Sequence, residues 1–305
     1  VNSFVYVPFV ASIVASVLIR VGAGRLWPRA AVWAITVSSA ALAASTIGAL
    51  VVLASPLPAQ APPIADAGRW QPGAVASHSP IPWIVSALAL LLLLALVWRC
   101  ARTGAALIGE VRDALTVSRA WHANEVVVIE DEMPHAHAVG LGVTGRGTIV
   151  LSSSLLTLLD DDERAAVIAH ERSHLRQRHA LFSAVVRLAA AANPLLVGAP
   201  RDLEFALERD ADEAAADRTN RSVVASALAK AALAMLERGA LPANALAFHR
   251  LGLTERIAAM IDEPDRRSRP AWIVVAVAIG AGLALAWATH DTERFFEAVR
   301  LRSHR

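Results

Sequence analysis

The sequence predicts a mainly α-helical, polytopic membrane protein with about four transmembrane helices and one cytoplasmic α+β domain containing a small β-sheet. Three observations carry that expectation. The 305-residue chain is 55% hydrophobic with a mean hydropathy of +0.47, too apolar for an ordinary water-soluble domain. Its apolar residues gather in four uncharged runs, and its arginines gather in three groups beside those runs.

The runs are Phe4 to Ile19, Ala30 to Ser55, Ile81 to Trp98 and Ala271 to Ala288. Each is about as long as a helix needs to cross a hydrocarbon core of roughly 30 Å. The first reads as a span and not as a signal sequence, because no basic segment precedes it and no polar mature chain follows. Arg20, Arg25 and Arg29 follow the first run; Arg99, Arg102, Arg112 and Arg119 follow the third; Arg266, Arg267 and Arg269 precede the fourth. All three groups fall on one side of a four-span path, which makes that side cytoplasmic. The Pro-rich loop between the second and third runs and both termini are then expected outside. The tail from His290 also carries arginines, against the trend.

This divides the chain into residues 1–98 with three spans, a cytoplasmic block at 99–269, and residues 270–305 with the fourth span and a short outer tail. The block is long enough for one domain with its own core. Cys100, the single cysteine, excludes an internal disulfide framework and a cysteine-based zinc cluster. Net charge is only +2 despite a pI near 9.3, and Lys230 is the sole lysine. No run of basic residues suited to direct nucleic-acid binding results.

Within the block, a helix continues from the third span. Residues 125–131, 137–143 and 147–153 read as short strands, the last two joined by the Gly-bearing turn "TGRG". A helix from the acidic "DDDE" follows, with Asp160 and Glu163 at capping-box spacing. The apolar stretch 180–200 is nearly a span, but Arg187 and the Asn193-Pro194 break argue for a hairpin or re-entrant pair at the membrane.

The chemistry sits in "AHERSHLRQRH", residues 169–179. His170 and His174 are four apart and share a helix face, so both imidazoles can reach one zinc ion at about 2.0–2.1 Å. Glu171 is turned about 100° around the axis, beside the metal, where it can take a proton from a water that the ion has acidified. Chance produces HExxH in on the order of one such chain in a hundred, and a solvated His/Glu helix face is the bland competitor. The apolar "AAVIA" just before the motif opposes that competitor. A third ligand is expected downstream in residues 202–217, where Glu208 and Asp212 share a face. Glu208 is the expected ligand, Glu204 its competitor one turn earlier, and Asp212 the acceptor that orients a ligating histidine.

"HERSHLRQRH", then "NPLL", then "ERDAD" resembles the membrane metallopeptidases of the BlaR/MecR antirepressor type and, more distantly, the HtpX-like and CAAX-prenyl-type membrane peptidases. The resemblance covers about Val126 to Met260. It implies a gluzincin-like α+β zinc peptidase domain and an endopeptidase activity. His170, His174 and Glu208 would hold one Zn2+, Glu171 would act as base and Asp212 would support a ligand. The β-lactam-sensing members carry an extracellular penicillin-binding domain after the last span; the short tail here is not expected to hold one. Distant relatives place a His and an Arg after the third ligand. Arg256 is the match for an oxyanion or supporting role and His249 the weaker one, at a spacing one residue longer than expected. His135 and His137 read as rim residues, and His179 falls off the motif's face on a continuous helix.

The expected substrate is a cytoplasmic or membrane-proximal protein, with a transcriptional repressor in a signalling pathway as the case the resemblance suggests. The peptide is expected along an edge strand formed by Gly147, Thr148, Ile149, Val150 and Leu151. Two other classes compete: a catalytically silent zinc-binding scaffold or signal transducer, and a transporter with an incidental motif. The four runs lack charged residues and paired broken helices, which opposes the transporter.

Overall fold

In lipid, backbone N–H and C=O groups must find partners within the segment, so uncharged apolar runs fold as helices. The computed structural model describes residues 3–120, 125–141, 146–237, 243–262 and 272–303. Its elements are α1 (Val7–Gly22), α2 (Pro28–Ala54), α3 (Pro62–Gly68), α4 (Pro72–His78), α5 (Trp83–Ala120), β1 (Val126–Ile129), β2 (Ala136–Leu141), β3 (Arg146–Ser152), α6 (Ser153–Leu158), α7 (Asp161–Arg176), α8 (His179–Ala192), α9 (Ala199–Ala216), α10 (Arg221–Glu237), α11 (Ala243–Ile261) and α12 (Trp272–Ser303). Three helices among the described residues are long and apolar enough to cross a membrane: Ser3–Gly22, Pro28–Ala54 and Trp83–Val117. The chain is a mainly helical, multi-pass membrane protein with a small mixed-sheet domain. The fourth expected span begins at Ala271, outside the described residues, and continues as the first half of α12.

The bundle is organised around α2. Small residues on this helix, among them Ala31, Ala34, Ser38 and Ala49, are buried and let neighbours approach closely. Gly48 shows how closely: a Cβ there would meet Leu285 of α12 at 2.5 Å. Outward-facing side chains such as Val17, Leu91, Trp98 and Leu283 are left exposed, as lipid-facing residues are. α12 has 32 residues, about 48 Å at ~1.5 Å per residue, and outruns the bundle. Its far end packs on the loop between the second and third apolar runs. Trp70 and Phe296 stand 5.0 Å apart, Val75 and Val299 are buried, and Arg300 Nε donates to the Gly68 carbonyl at 3.1 Å. That loop and the end of α12 therefore lie at the same end of the bundle.

Within 180–200, α8 ends at Ala192, the chain turns at Asn193-Pro194, and α9 begins only at Ala199 and runs on to Ala216. The Asn193 side chain is fully buried; its Nδ2 donates to Ser12 Oγ of α1 at 2.8 Å and Thr46 Oγ1 of α2 at 3.0 Å. The turn is thus wedged between two apolar helices. Arg187, which opposes a clean span, forms a two-pronged pair with Glu110 of α5 at 2.7 Å on each prong. α5 itself runs unbroken past Trp98 to Ala120 and packs against β2.

The three strands lie close to their expected positions, but their order is β1-β3-β2. β3 pairs in parallel with β1 and antiparallel with β2. This corrects one expectation: Gly147, Thr148, Ile149, Val150 and Leu151 belong to the central strand and not to an edge. From Ile149 to Leu151 that backbone is paired on both sides, which leaves no edge there for a peptide to join. The free edge near α7 is β2. Ser152 N–H donates to the His135 carbonyl at 3.0 Å, which sets the phase of the ladder. Residues 137 and 139 turn their N–H and C=O groups towards β3, and 136, 138 and 140 turn theirs to the open side. The turn residues 142–145 lie outside the described residues.

α7 starts at a complete capping box: Glu163 N–H donates to Asp160 Oδ1 at 2.9 Å, and Asp160 N–H to Glu163 Oε2 at 3.0 Å. The Glu163 carboxylate also receives Lys230 Nζ at 2.7 Å and Ser226 Oγ at 2.6 Å, pinning the start of α7 to α10. One face of α7 packs on the sheet through Ile168 and Leu175 against Ile149 and Leu151. Another packs Ala166 and Ala169 on Ala215 and Val224. The sheet approaches α7 so closely at Gly147 that a Cβ there would overlap the Val139 carbonyl oxygen, Gly140 Cα and Leu175. Gly147→Ala is expected to destabilise the protein by about 1–3 kcal/mol through overpacking; chemical denaturation in detergent measures it, and an unchanged midpoint contradicts this account of the sheet–helix contact.

Candidate metal centre

The continuous helix expected from the acidic cap past His179 is interrupted. α7 ends at Arg176, Arg178 adopts a left-handed backbone (φ 57°), and α8 begins at His179. His170 and His174 precede the break and share the face turned towards α9, with their Nε2 atoms 3.1 Å apart. Glu208 of α9 completes a triangle: its Oε1 lies 3.4 Å from His174 Nε2 and its Oε2 lies 3.6 Å from His170 Nε2. Among the described residues, these three form the one group of His, Cys, Asp or Glu side chains whose ligand atoms converge as a metal requires. A tetrahedral ion with bonds of about 2.0–2.1 Å needs ligand atoms roughly 3.3 Å apart. The three separations bracket that value, so the donor set fits a divalent ion. Glu204, the competing carboxylate, is exposed and outside the group.

Around this triangle lies a buried charge network. Asp212 is fully buried; its Oδ1 sits 3.0 Å from His170 Nδ1. Arg256 of α11 forks onto the same carboxylate, Nε to Oδ2 at 2.7 Å and Nη2 to Oδ1 at 2.8 Å. Its Nη1 reaches Glu208 Oε2 at 2.8 Å. The guanidinium is therefore committed to the carboxylates behind the cluster, a supporting position. His249 lies on α11, but its side chain is outside the described residues. His135 and His137 stack on each other at 5.6 Å, with His135 Nδ1 2.9 Å from the Met133 carbonyl, and neither joins the cluster.

The protonation pattern follows from these contacts. Burial alone would lower His170, yet the Asp212 and Glu208 carboxylates raise it to about 10. Burial and then the charge on His170 push His174 down to about 3. Glu208 is also buried, but its partner His170, with Arg256 and His174, holds it well below the usual carboxylate range. Burial raises Glu171, the next residue on α7, which is 9% exposed and accepts the Ala138 backbone N–H from β2.

Sequence periodicity missed His179. A continuous helix would turn it away from the motif, but the left-handed residue before it returns the ring to within 2.9 Å of His174, Nδ1 to Nδ1. Asp210, between the two carboxylates singled out on α9, also escaped notice; it lies 3.2 Å from His179 Nε2.

Residues 102–201 match the model of peptidase family M48, a segment that includes the HExxH motif and ends before Glu208. A protease HtpX homolog of Thermoplasma acidophilum is 46% identical over 54 residues, 18% of this chain and 17% of that protein. A protease HtpX homolog of Pyrococcus abyssi is 36% identical over 73 residues, 24% of this chain and 25% of that protein. The chain thus spans a quarter or less of the length of these curated relatives. No solved structure matches.

Removing Arg256 leaves the Asp212 carboxylate buried with one partner fewer. Arg256→Met is expected to destabilise the metal-free protein by about 3–5 kcal/mol, and Arg256→Met with Asp212→Leu to recover much of that loss. Denaturant unfolding of both variants measures this; equal destabilisation of the single and double variants contradicts the pairing.

Proposed function

We propose that this protein is a membrane-embedded, zinc-dependent endopeptidase whose site faces the cytoplasm. The observation that carries the proposal is the convergence of His170, His174 and Glu208 at tetrahedral spacing, with Glu171 beside them. The M48 match over the motif supports it. The donor set of two imidazoles and one carboxylate is the composition of hydrolytic zinc sites that keep a position open. The arginine groups favour a cytoplasmic site, with the first half of α12 as a fourth span and both termini outside.

A bound zinc ion supplies Lewis acidity and a water of lowered pKa. The rest falls to the chain's own residues. Glu171 takes the proton from the attacking water and returns it to the leaving amine. Asp212 holds the ring of His170, and Arg256 holds Asp212 and Glu208, so the ligand triangle keeps its shape as charge develops. The peptide lies extended along β2, whose outward groups at Ala136 and Gly140 offer backbone hydrogen bonds beside Glu171. This edge replaces the β3 backbone expected from the sequence.

The substrate is a cytoplasmic or membrane-proximal protein. A transcriptional repressor is the case favoured by the likeness of "HERSHLRQRH", "NPLL" and "ERDAD" to the BlaR/MecR antirepressor type, and cleavage would then relieve repression. Glu171→Gln is expected to retain zinc and to lower cleavage by at least 10²–10⁴-fold. Quantitative proteomics of cells expressing the parent or this variant should show fragments only with the parent. Equal cleavage by both overturns the role of Glu171; zinc binding without any fragment supports the silent scaffold instead.

A further inference from the structure

His179 is 3% exposed and reaches the candidate metal cluster through His174. Its other nitrogen, Nε2, lies 3.2 Å from Asp210 Oδ2, itself on a residue 6% exposed. The same Asp210 oxygen receives Arg29 Nη1 at 3.2 Å, and that Nη1 also donates to Gln177 Oε1 at 2.6 Å. Arg29 belongs to the first turn of α2 and stacks its guanidinium 5.7 Å from the Phe182 ring centroid. Four side chains from α7, α8, α9 and α2 thus form one line that starts at a candidate metal ligand and ends on an apolar, membrane-length helix.

We infer that His179 is a positioning residue for His174, set in a single tautomer by Asp210 and Arg29. The inference rests on the metal-site reading above. His174 offers Nε2 to the triangle, so a neutral ligating ring must carry its proton on Nδ1. The atom facing that proton is His179 Nδ1, which must accept. His179 then carries its own proton on Nε2, directed at Asp210, whose carboxylate only accepts. Arg29, which only donates, closes the line. Every link admits one direction, so the hydrogen bonds fix the angle of the His174 ring. The ring of His170 is held by a carboxylate directly, through Asp212; His174 is held by a carboxylate one imidazole removed. The arrangement makes α2 a structural part of the metal centre, because its Arg29 anchors the far end.

The test is metal binding by the full-length protein in detergent, with no substrate present. Zinc affinity is read by chelator competition, the ligand field by Co2+ absorption, and the metal-free melting temperature in parallel. Substituting leucine (His179→Leu) keeps the bulk and removes the acceptor, and is expected to weaken zinc by about 10–100-fold and alter the Co2+ bands. With glutamine (His179→Gln), an amide oxygen can accept from His174, so most of the affinity should return. If the leucine variant fails to fold, Asp210→Leu, one link farther from the ligand, is expected to weaken zinc in the same direction. Parent-like zinc affinity in the folded leucine variant overturns the inference, as does equal weakening by leucine and glutamine, or a lower metal-free melting temperature with unchanged affinity. A parent protein that binds no zinc overturns the metal-site reading beneath it.

Discussion

The site depends on one buried carboxylate. Asp212 has no exposed surface, and an unpaired charge in that position costs several kcal/mol. It is tolerated because His170 of α7 and Arg256 of α11 reach it from opposite sides, at 3.0 Å and at 2.7 and 2.8 Å. Three helices, α7, α9 and α11, therefore meet at this one carboxylate. Once they meet, the imidazole of His170 has lost its freedom to rotate, and the second arm of Arg256 places Glu208 in front of it. The geometry of the ligand triangle is a consequence of satisfying this charge.

The membrane part enters the same network. Arg209, next to Glu208, donates to the carbonyls of Gly24 and Leu26 in the α1–α2 connection, and Asp210 pairs with Arg29. The residues on the C-terminal side of Glu208 are thus tied to the start of α2, while Asn193 buries the turn between α8 and α9 against α1 and α2. Arginines in a short loop orient membrane helices by their charge alone. Arg29 also bonds to the helix that carries Glu208, through Asp210.

What the sequence made legible was local. The i,i+4 spacing of His170 and His174, the Asp160–Glu163 cap, the three strand segments and the Asn193-Pro194 break each depend on residues within a turn or two of one another. What it hid depended on distant partners. Strand order requires β3 to insert between two strands that precede it, and no alternation pattern records that, so the edge was assigned to the wrong strand. Glu204 and Glu208 lie one helical turn apart on the same face; only the approach of α7 and α11 selects Glu208. The helix break at Gln177–Arg178 carries neither Gly nor Pro, the residues that ordinarily mark a left-handed turn. Periodicity carried across it therefore placed His179 on the wrong face.

The charges of the cluster balance in two ways, and the difference bears on Glu171. With a proton on His170, the positive His170 and Arg256 offset the negative Glu208 and Asp212, and a neutral Glu171 completes the balance. Burial moves Glu171 in that direction. A divalent ion in place of that proton adds one further positive charge. The nearest uncommitted acid is Glu171, whose ionised form restores neutrality and has the Ala138 N–H to support it. The ionised form is also the one able to accept a proton from water. In such a low-dielectric setting a surplus charge is expensive, so an ion held at this cluster would favour the ionised form of Glu171. No residue beyond those already bound to one another is needed to set that condition.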